Sequence, residues 1–430
     1  MIPTPRSIFR NLGFLLALAL GLGYAGAAEA AAGPDRAREQ AQGAFSLTPR
    51  QWAEDLDFLA AELPKRHLNL FHKIAEKDFK QGVERLKAEL PSLNQDEILV
   101  RLIGLVAAIG DSHTGVGYRT SRGLPLMMYW FKDGIFVLNT TGEYKDILHS
   151  RIMGIGGRPL EEVIPLLTPL IPHENDAQVR NHLPNLLVDT AILHGLKIIP
   201  SPESAALTVP TAGGRSRAVE MTPLSFSSQP AWLADRSSET GNPLYLKNGR
   251  LYYWYEIIPG SKALFFKYNA CQDMAGKPFA EFVREMFAAA DSAAVEKMII
   301  DLRHNGGGNS AVFRPFLDEL NKRPNLVGRQ KTWVLAGRRT FSSAILNALD
   351  LKKEAGASFA GEPTGGKPNH FGEVQVFKLP NSGLPVSYST KYFRAVDGDP
   401  ETIVPDLLVE FTAADFLAQK DPVLEAVLKR

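Results

Sequence analysis

Three side chains in this 430-residue chain have the types needed for nucleophilic catalysis. Ser342 lies in the segment TFSSA, between an apolar run and a helical pattern, which predicts its hydroxyl at a helix N-terminus. The helix dipole favours developing negative charge there. A serine becomes a nucleophile only with a proton acceptor in reach, and His113 and Lys367 are the candidates. The alternative for Ser342 or Ser343 is a helix cap without catalytic use.

The two candidate bases differ in what they require. An imidazole has an unperturbed pKa of about 6.5 and accepts a proton near neutral pH without special surroundings. His113 follows a predicted helix on the turn Asp111–Thr114, where its neighbours are expected to hold it. A capping histidine on a surface turn is the alternative. Lys367 requires burial to lower the pKa of its amine, and a surface loop lysine is its alternative.

A glycine-rich loop is the candidate for binding the oxyanion. Asn305-Gly306-Gly307-Gly308 follows the apolar run KMII, which the pattern predicts to be a short buried strand. Glycine allows positive φ and leaves backbone amides accessible, so such a loop can stabilise an anion. We expect the amide of Gly308, with those of Gly307 and Ser343, to form an oxyanion hole.

These segments together resemble the C-terminal processing (tail-specific) serine proteases and their tricorn-core relatives. The resemblance rests on four motifs whose order and spacing agree, over about a quarter of the chain. It implies a serine-type peptidase on a crotonase-like mixed α/β core, acting on polypeptide without a cofactor. The motifs are DLRHNGGG (Asp301 to Gly308), TFSSA (Thr340 to Ala344), GEPTGGK (Gly361 to Lys367) and VPD (Val404 to Asp406).

The tail-specific branch of this family implies a Ser-Lys pair. In that branch the lysine lies 25 residues after the serine, as Lys367 does after Ser342. The acidic residue that several of these relatives carry between the two is missing, because Lys353 stands at the corresponding position. This departure weakens the Ser-Lys interpretation.

The tricorn-type branch implies a Ser-His arrangement instead. Its members place the catalytic histidine in a Ser-His turn after a helix, which matches His113. They take a glutamate from near the C-terminal segment, where Asp399 and Glu401 are the candidates for the supporting carboxylate. We therefore prefer His113 as the general base and keep Lys367 as the alternative.

The N-terminus has the pattern of a secretory signal peptide over residues 1–30. Arg6 and Arg10 precede the apolar run LGFLLALALGLGYAG, and Ala28-Glu29-Ala30 supplies the small residues of a cleavage site. An uncleaved anchor helix is the alternative. We expect an exported protein, periplasmic or secreted, that has no stable membrane insertion after cleavage.

The remaining chain divides into three predicted modules. Helical periodicity begins at Thr48-Pro49, an N-cap followed by proline at the first helical position, and predicts a helical module over 45–120. A β-rich module over 121–223 looks PDZ-like, a type that binds extended peptides at a sheet edge; a structural spacer is the alternative. Strands alternating with helices over 224–430 predict the α/β core.

Composition excludes several other classes. The net charge of +1 gives no argument for a nucleic-acid partner, and the single cysteine, Cys271, cannot form an internal disulfide. Metal ligation is not expected, because the histidines are scattered and His67 and His72 do not share one helical face.

A non-catalytic protein that binds peptides or apolar ligands on the same fold is the second candidate, since retinoid-binding relatives use this scaffold. Nothing in the composition indicates an oligomeric state.

Overall fold

The computed structural model describes residues 47–118, 122–225, 230–233 and 242–430. The predicted signal peptide therefore lies outside the described residues. Within them, no helix is both long enough and apolar enough to cross a membrane.

Helices and strands are interspersed along the described chain, which confirms the predicted mixed α/β fold. The helices are α1 (Pro49–Arg66), α2 (Glu76–Glu89), α3 (Gln95–Ala107), α4 (Leu160–Leu167), α5 (Asp176–Leu186), α6 (Thr190–Gly195), α7 (Phe279–Ser292), α8 (Arg314–Asn321), α9 (Ser343–Ala355), α10 (Ala413–Leu417) and α11 (Pro422–Leu428). The first strands are β1 (Gly115–Val116), β2 (Arg122–Gly123), β3 (Leu126–Phe131), β4 (Gly134–Thr140), β5 (Gly154–Ile155), β6 (Arg158–Pro159), β7 (Ala205–Pro210), β8 (Ser216–Met221) and β9 (Leu224–Ser225). The later strands are β10 (Tyr253–Ile257), β11 (Ala263–Tyr268), β12 (Lys297–Asp301), β13 (Thr332–Ala336), β14 (Ser358–Gly361), β15 (His370–Lys378), β16 (Pro385–Phe393) and β17 (Leu407–Leu408).

A six-stranded sheet in the order β10-β11-β12-β13-β14-β17 organises the C-terminal half. β10 and β11 are antiparallel, and the other neighbours are parallel. The central strands are covered on both faces, which explains their continuous apolar sequences. In β12, Met298 and Ile300 face one core while Ile299 faces the other. Because the carboxyl ends of parallel strands share one edge, the loops after β12 and β13 meet there.

Helices cover both faces of this sheet. Phe282 of α7, Phe316 of α8 and Ile345 of α9 pack into the core on one face. The opposite face packs against Val427 of α11 and Phe131 of β3. The β3 hairpin thus contacts the sheet that carries the glycine-rich loop.

The N-terminal helices pack against a hairpin from the far end of the chain. α1 begins with a capping box in which Thr48 and Gln51 bond reciprocally, with Pro49 as its first residue, as predicted. Trp52 of α1 and Val386 of β16 belong to one core, which also receives α2, α3 and β15. β1, which follows α3, pairs with β16. This pairing holds the turn after α3 close to the C-terminal half.

The β-rich region between these parts has its own core. A four-stranded sheet in the order β6-β5-β7-β8 and the β3-β4 hairpin share this core with α4, α5 and α6. α5 packs against β3. A hydrogen bond of 2.9 Å from Arg180 of α5 to Glu410 connects the region to the C-terminal half.

Most of the predicted helices and strands are confirmed, and their ends lie close to the predicted ones. The helices predicted over 76–90, 94–108 and 278–290 are α2, α3 and α7. The apolar runs KMIID, TWVLA and SFAG form β12, β13 and β14, and the hairpin predicted around 211–214 joins β7 to β8. The loop predicted for 225–242 falls largely outside the described residues.

Candidate active site

The glycine-rich loop after β12 is shaped by one buried amide side chain. Asn305 is fully buried, and its Oδ1 accepts a hydrogen bond of 2.9 Å from the Gly307 amide. The Gly307 carbonyl in turn accepts from the Cys271 amide at 2.9 Å. Gly307 and Gly308 have φ of 112° and 135°, which side-chain-bearing residues rarely adopt. The loop therefore requires glycine at both positions.

Ser342 lies on a strained turn between β13 and α9. Its φ of 52° and ψ of −126° are unusual for a residue other than glycine. The turn is held on the glycine-rich loop, because the Phe341 amide donates to the Asn305 carbonyl at 3.1 Å and Thr340 Oγ1 donates to the Leu302 carbonyl at 2.9 Å. A Cβ on Gly307 would lie 2.8 Å from the Cβ of Ser342. The loop and the serine are thus in direct contact.

The two adjacent serines have different surroundings. The hydroxyl of Ser343 is buried and donates to the Gly308 carbonyl at 2.6 Å. The hydroxyl of Ser342 makes no capping hydrogen bond to α9. Ser343 is the first residue of that helix, so its amide has no intrahelical partner, and it makes no hydrogen bond elsewhere in the described chain. These contacts leave the Ser342 hydroxyl and the Ser343 amide as the chemically available groups.

His113 is buried beside this turn. Its imidazole stacks on the ring of Phe341 with centroids 4.5 Å apart, and on that of His370 at 5.6 Å. Neither ring nitrogen has a hydrogen-bond partner among the described residues. Burial lowers the pKa of His113 to about 4, although the charge of Asp111 acts in the opposite direction. The imidazole is therefore neutral at physiological pH and can accept a proton.

Asp111 is the carboxylate that lies closest to this imidazole, with Oδ1 3.9 Å from His113 Nδ1. The Asp111 carboxylate also accepts from the His113 amide at 2.9 Å and from His67 Nε2 at 3.0 Å. His67 Nδ1 accepts from a backbone amide, so His67 Nε2 carries the proton that it donates to Asp111. Hydroxyls of Thr114 and Ser389 donate to Asp111 Oδ2 at 2.5 and 2.7 Å.

These donors decide the ionisation of Asp111. Burial alone would raise the pKa of its carboxyl group, but the His67 hydrogen bond, the positive charge that His113 carries once it is protonated, and the two hydroxyls hold that pKa well below its usual range. Asp111 is therefore a fixed negative charge beside His113.

Glu174 is a second acidic residue near the histidine turn. Its Oε2 accepts a hydrogen bond of 3.0 Å from the hydroxyl of Ser112, the residue before His113. Burial and then the negative charge of Asp111 raise the pKa of Glu174 to about 7. Glu174 thus changes charge near neutral pH, and it contacts Ser112, the residue directly before the candidate base.

The structure places the other predicted residues as follows. Lys367 Nζ donates to Asp399 Oδ2 at 2.7 Å, so this lysine is engaged in an ion pair. The Lys367 carbonyl accepts from His370 Nδ1 at 2.9 Å, which links the GEPTGGK segment to the stacked histidines. Glu401 has an exposed side chain, and its carbonyl accepts from Asn175 at 2.8 Å. No group of three residues suited to bind a metal ion occurs within the described ranges.

Two acidic residues near His113 were not assigned roles from the sequence. Asp111 stands two positions before His113, and this short spacing could have indicated that its carboxylate lies beside the imidazole. Glu174 gives no local signal, because it is 62 residues from its partner Ser112.

The fold of this chain is similar to that of several solved structures. No family model and no curated protein sequence matches the chain. Among solved structures, mature CPAF complexed with lactacystin superposes with a TM-score of 0.63 at 16% identity, over 89% of this chain and 98% of that chain. Mature CPAF alone gives 0.60 at 14% identity, over 89% and 96%. The photosystem II D1 C-terminal processing protease is a more remote neighbour, with a TM-score of 0.35 at 14% identity, over 85% and 94%.

The chain thus has the fold seen in CPAF. The predicted resemblance is confirmed at the level of the fold, by the two CPAF structures. At these identities the likeness establishes the fold alone.

Proposed function

We propose that this protein is a serine peptidase that hydrolyses unstructured polypeptides, with Ser342 as nucleophile and His113 as general base. The observation that carries the proposal is the stacking of a neutral, unpartnered His113 on Phe341, the residue directly before the strained Ser342. A nucleophile requires a base within reach that is not already committed to another partner. His113 meets this requirement.

The reaction follows from these groups. Ser342 Oγ attacks the scissile carbonyl carbon while its proton passes to His113 Nε2, the ring nitrogen remote from Asp111. The tetrahedral oxyanion accepts a hydrogen bond from the Ser343 amide, with Gly308 as the second donor predicted from the sequence. The imidazolium then gives its proton to the leaving amine as the C–N bond breaks. A water molecule hydrolyses the acyl-enzyme through the same base.

Asp111 supports the base in this scheme. When His113 accepts a proton, the resulting imidazolium faces the fixed negative charge of Asp111, with 3.9 Å between Nδ1 and Oδ1. This attraction stabilises the charged intermediate. Asp399 and Glu401 remain candidates from the resemblance, although Asp399 is paired with Lys367.

The ion pair also favours His113 over Lys367 as the base. An ammonium that donates to a carboxylate carries its proton and cannot accept another. Lys367 is better suited to fix the segment that precedes His370, through its pair with Asp399 and its own carbonyl.

The finer architecture belongs to the same proposal. We assign a crotonase-like core to residues 224–430, a PDZ-like module to 121–223 and a helical module to 45–120. We further propose export through the N-terminal signal peptide, which would bring the enzyme to unstructured polypeptides outside the cytoplasm. No cofactor is needed for the chemistry described.

The proposal is tested by incubating the purified protein with an unfolded polypeptide such as reduced casein and identifying new termini by mass spectrometry. We expect cleavage by the parent and none by Ser342→Ala, which removes the nucleophile but no capping hydrogen bond. Equal cleavage by both proteins contradicts the assignment of Ser342. Intact polypeptide in both reactions favours the second candidate, a non-catalytic binding protein.

A further inference from the structure

The imidazole of His113 is oriented by packing rather than by hydrogen bonds. The main chain of this residue is fixed, because its amide donates to Asp111 Oδ1 at 2.9 Å. The imidazole itself makes no hydrogen bond within the described part of the chain. Its Nδ1 lies 3.9 Å from Asp111 Oδ1, which is beyond hydrogen-bond distance. The orientation of the ring therefore depends on the side chains that pack against it.

Two rings stack on this imidazole. The ring of Phe341 has its centroid 4.5 Å away, with 24° between the ring planes, and the ring of His370 lies at 5.6 Å and 15°. Such nearly parallel pairs are a preferred arrangement of aromatic side chains. Phe341 belongs to the turn that carries Ser342, whereas His370 is the first residue of β15. His370 thus connects the candidate base to a second element of the fold.

The ring of His370 is itself held by hydrogen bonds and by packing. Its Nδ1 lies 2.9 Å from the Lys367 carbonyl oxygen and 3.3 Å from that of Pro368. Carbonyl oxygens only accept, so Nδ1 carries a proton and donates it. The ring of Phe393, the residue that pairs with His370 in β16, stacks on it at 5.4 Å. His370 is buried, and these contacts fix the plane that it presents to His113.

His370 is also neutral at physiological pH. Burial lowers its pKa below the usual value, although the hydrogen bonds to the two carbonyl groups act in the opposite direction. A positive charge on His370 would oppose the protonation of His113. A neutral ring can remain stacked on His113 when that residue takes up the proton of Ser342.

We propose that His370 is a positioning residue, which stacks on the imidazole of His113 and holds it in the orientation for proton transfer. The inference rests on the proposed peptidase function and adds a residue to it. A misplacement of about 1 Å can cost on the order of 10²-fold in rate. Loss of the stacked ring should therefore lower kcat and leave KM unchanged, because the ring of His370 acts on the base and not on the bound polypeptide.

Two substitutions separate the ring of His370 from its hydrogen bonds. His370→Asn keeps a side-chain donor for the carbonyl groups but removes the ring, whereas His370→Phe keeps a ring and removes the donor. Both are assayed on a fluorogenic peptide that contains a casein cleavage site of the parent. We expect His370→Asn to lose about 10-fold to 10²-fold in kcat at parental KM, and His370→Phe to retain most of the parental turnover.

A matched control applies the same substitution to another histidine. His194 Nδ1 lies 2.7 Å from Asp96 Oδ2, in the first turn of α3, at the opposite end of that helix from the turn that carries His113. His194→Asn should therefore keep the parental kcat. His370→Leu, which also lacks a ring, replaces His370→Asn if that variant does not fold, and should lose as much turnover.

Crystal structures of the same variants on the Ser342→Ala background show the imidazole without reference to activity. In His370→Asn we expect the His113 ring to leave the ring of Phe341 or to occupy more than one rotamer. In His370→Phe it should keep its single parental orientation.

The outcomes separate this inference from the function on which it rests. Parental kcat or a parental His113 orientation in His370→Asn overturns the positioning role. Equal losses of kcat in His370→Asn and His370→Phe also overturn it, because they assign the effect to the carbonyl hydrogen bonds. A His113 ring displaced in His370→Asn but not in His370→Phe, in a protein whose parent cleaves no peptide, supports the positioning role and refutes the peptidase proposal.

Discussion

The hydroxyl of Ser343 donates to the carbonyl of Gly308 at 2.6 Å. This hydrogen bond joins the first residue of α9 to the glycine-rich loop after β12. The hydroxyl of Ser343 is therefore occupied in a structural hydrogen bond, whereas the hydroxyl of Ser342 makes no capping hydrogen bond. The assignment of the nucleophile follows from this difference.

Ser343→Ala should therefore lower stability. The change removes a buried donor and leaves the Gly308 carbonyl without that partner, which costs about 1 to 3 kcal/mol in the free energy of unfolding. Urea denaturation measures this loss. Ser342→Ala is the matched control and should unfold at nearly the parental urea concentration, because its hydroxyl caps nothing. A larger loss in Ser342→Ala than in Ser343→Ala would reverse the two roles.

Gly307→Ala should abolish turnover, whereas Gly306→Ala should be tolerated. A Cβ on Gly307 would lie 2.8 Å from the Cβ of Ser342, at a φ of 112° that alanine rarely adopts. A Cβ on Gly306 meets nothing within 4 Å. Peptide hydrolysis by the two folded variants provides the comparison. Full activity in Gly307→Ala would show that the glycine-rich loop does not position the nucleophile.

The base assignment is tested by comparing His113→Ala with Lys367→Ala. Removing a positioned general base costs at least about 10²-fold in turnover, so His113→Ala should lose that much. Lys367→Ala should lose much less, because the ammonium is paired with Asp399. An inactive but folded Lys367→Ala, beside a His113→Ala enzyme with parental turnover, would make Lys367 the base.

The pH dependence of peptide hydrolysis should reflect the titration of two groups near the site. Burial lowers the pKa of His113 to about 4, so activity should already rise near pH 4 instead of at the usual histidine value. Glu174, whose pKa is raised to about 7, should add a second inflection near neutral pH. Glu174→Gln should remove the second inflection and keep the first. A rise confined to pH 6 to 7 that survives Glu174→Gln would argue against a His113 pKa near 4.

Stability should depend on pH through the same glutamate. A raised pKa means that the folded state holds the Glu174 proton more tightly than the unfolded state, so stability falls as pH rises from about 4.5 to about 7. The parent should lose up to about 3 kcal/mol relative to Glu174→Gln over this range. His113 acts in the opposite direction in both proteins, because its lowered pKa reduces stability as pH falls from about 6.5 to about 4. The difference between parent and variant therefore isolates Glu174.

Local patterns in the sequence predicted the elements and the order of the motifs. The structure has three local features where they were predicted: the N-cap at Thr48, the buried strand before Asn305 and the helix after Ser342. Each of them depends on residues that are close together in the chain. The surroundings of His113 depend on distant residues. Glu174 reaches the histidine turn through Ser112, and nothing in the pattern around either residue indicates that contact.

The sequence also did not indicate which potential hydrogen-bond donors already have a partner in the folded protein. The Gly307 amide was predicted to contribute to the oxyanion hole, and the structure shows it donating to the side chain of Asn305. An amide's hydrogen-bond partner becomes evident only in the folded structure. The same applies to Lys367, whose pairing with Asp399 spans 32 residues.

The most direct test of the central claim is covalent labelling with a fluorophosphonate probe, followed by peptide mapping of the modified residue by mass spectrometry. The probe reacts with serines that an adjacent base activates. We predict modification at Ser342 in the parent and in Ser343→Ala, loss of labelling in Ser342→Ala, and much slower labelling in His113→Ala. Modification at Ser343, or an active parent that the probe does not label at Ser342, would contradict the account.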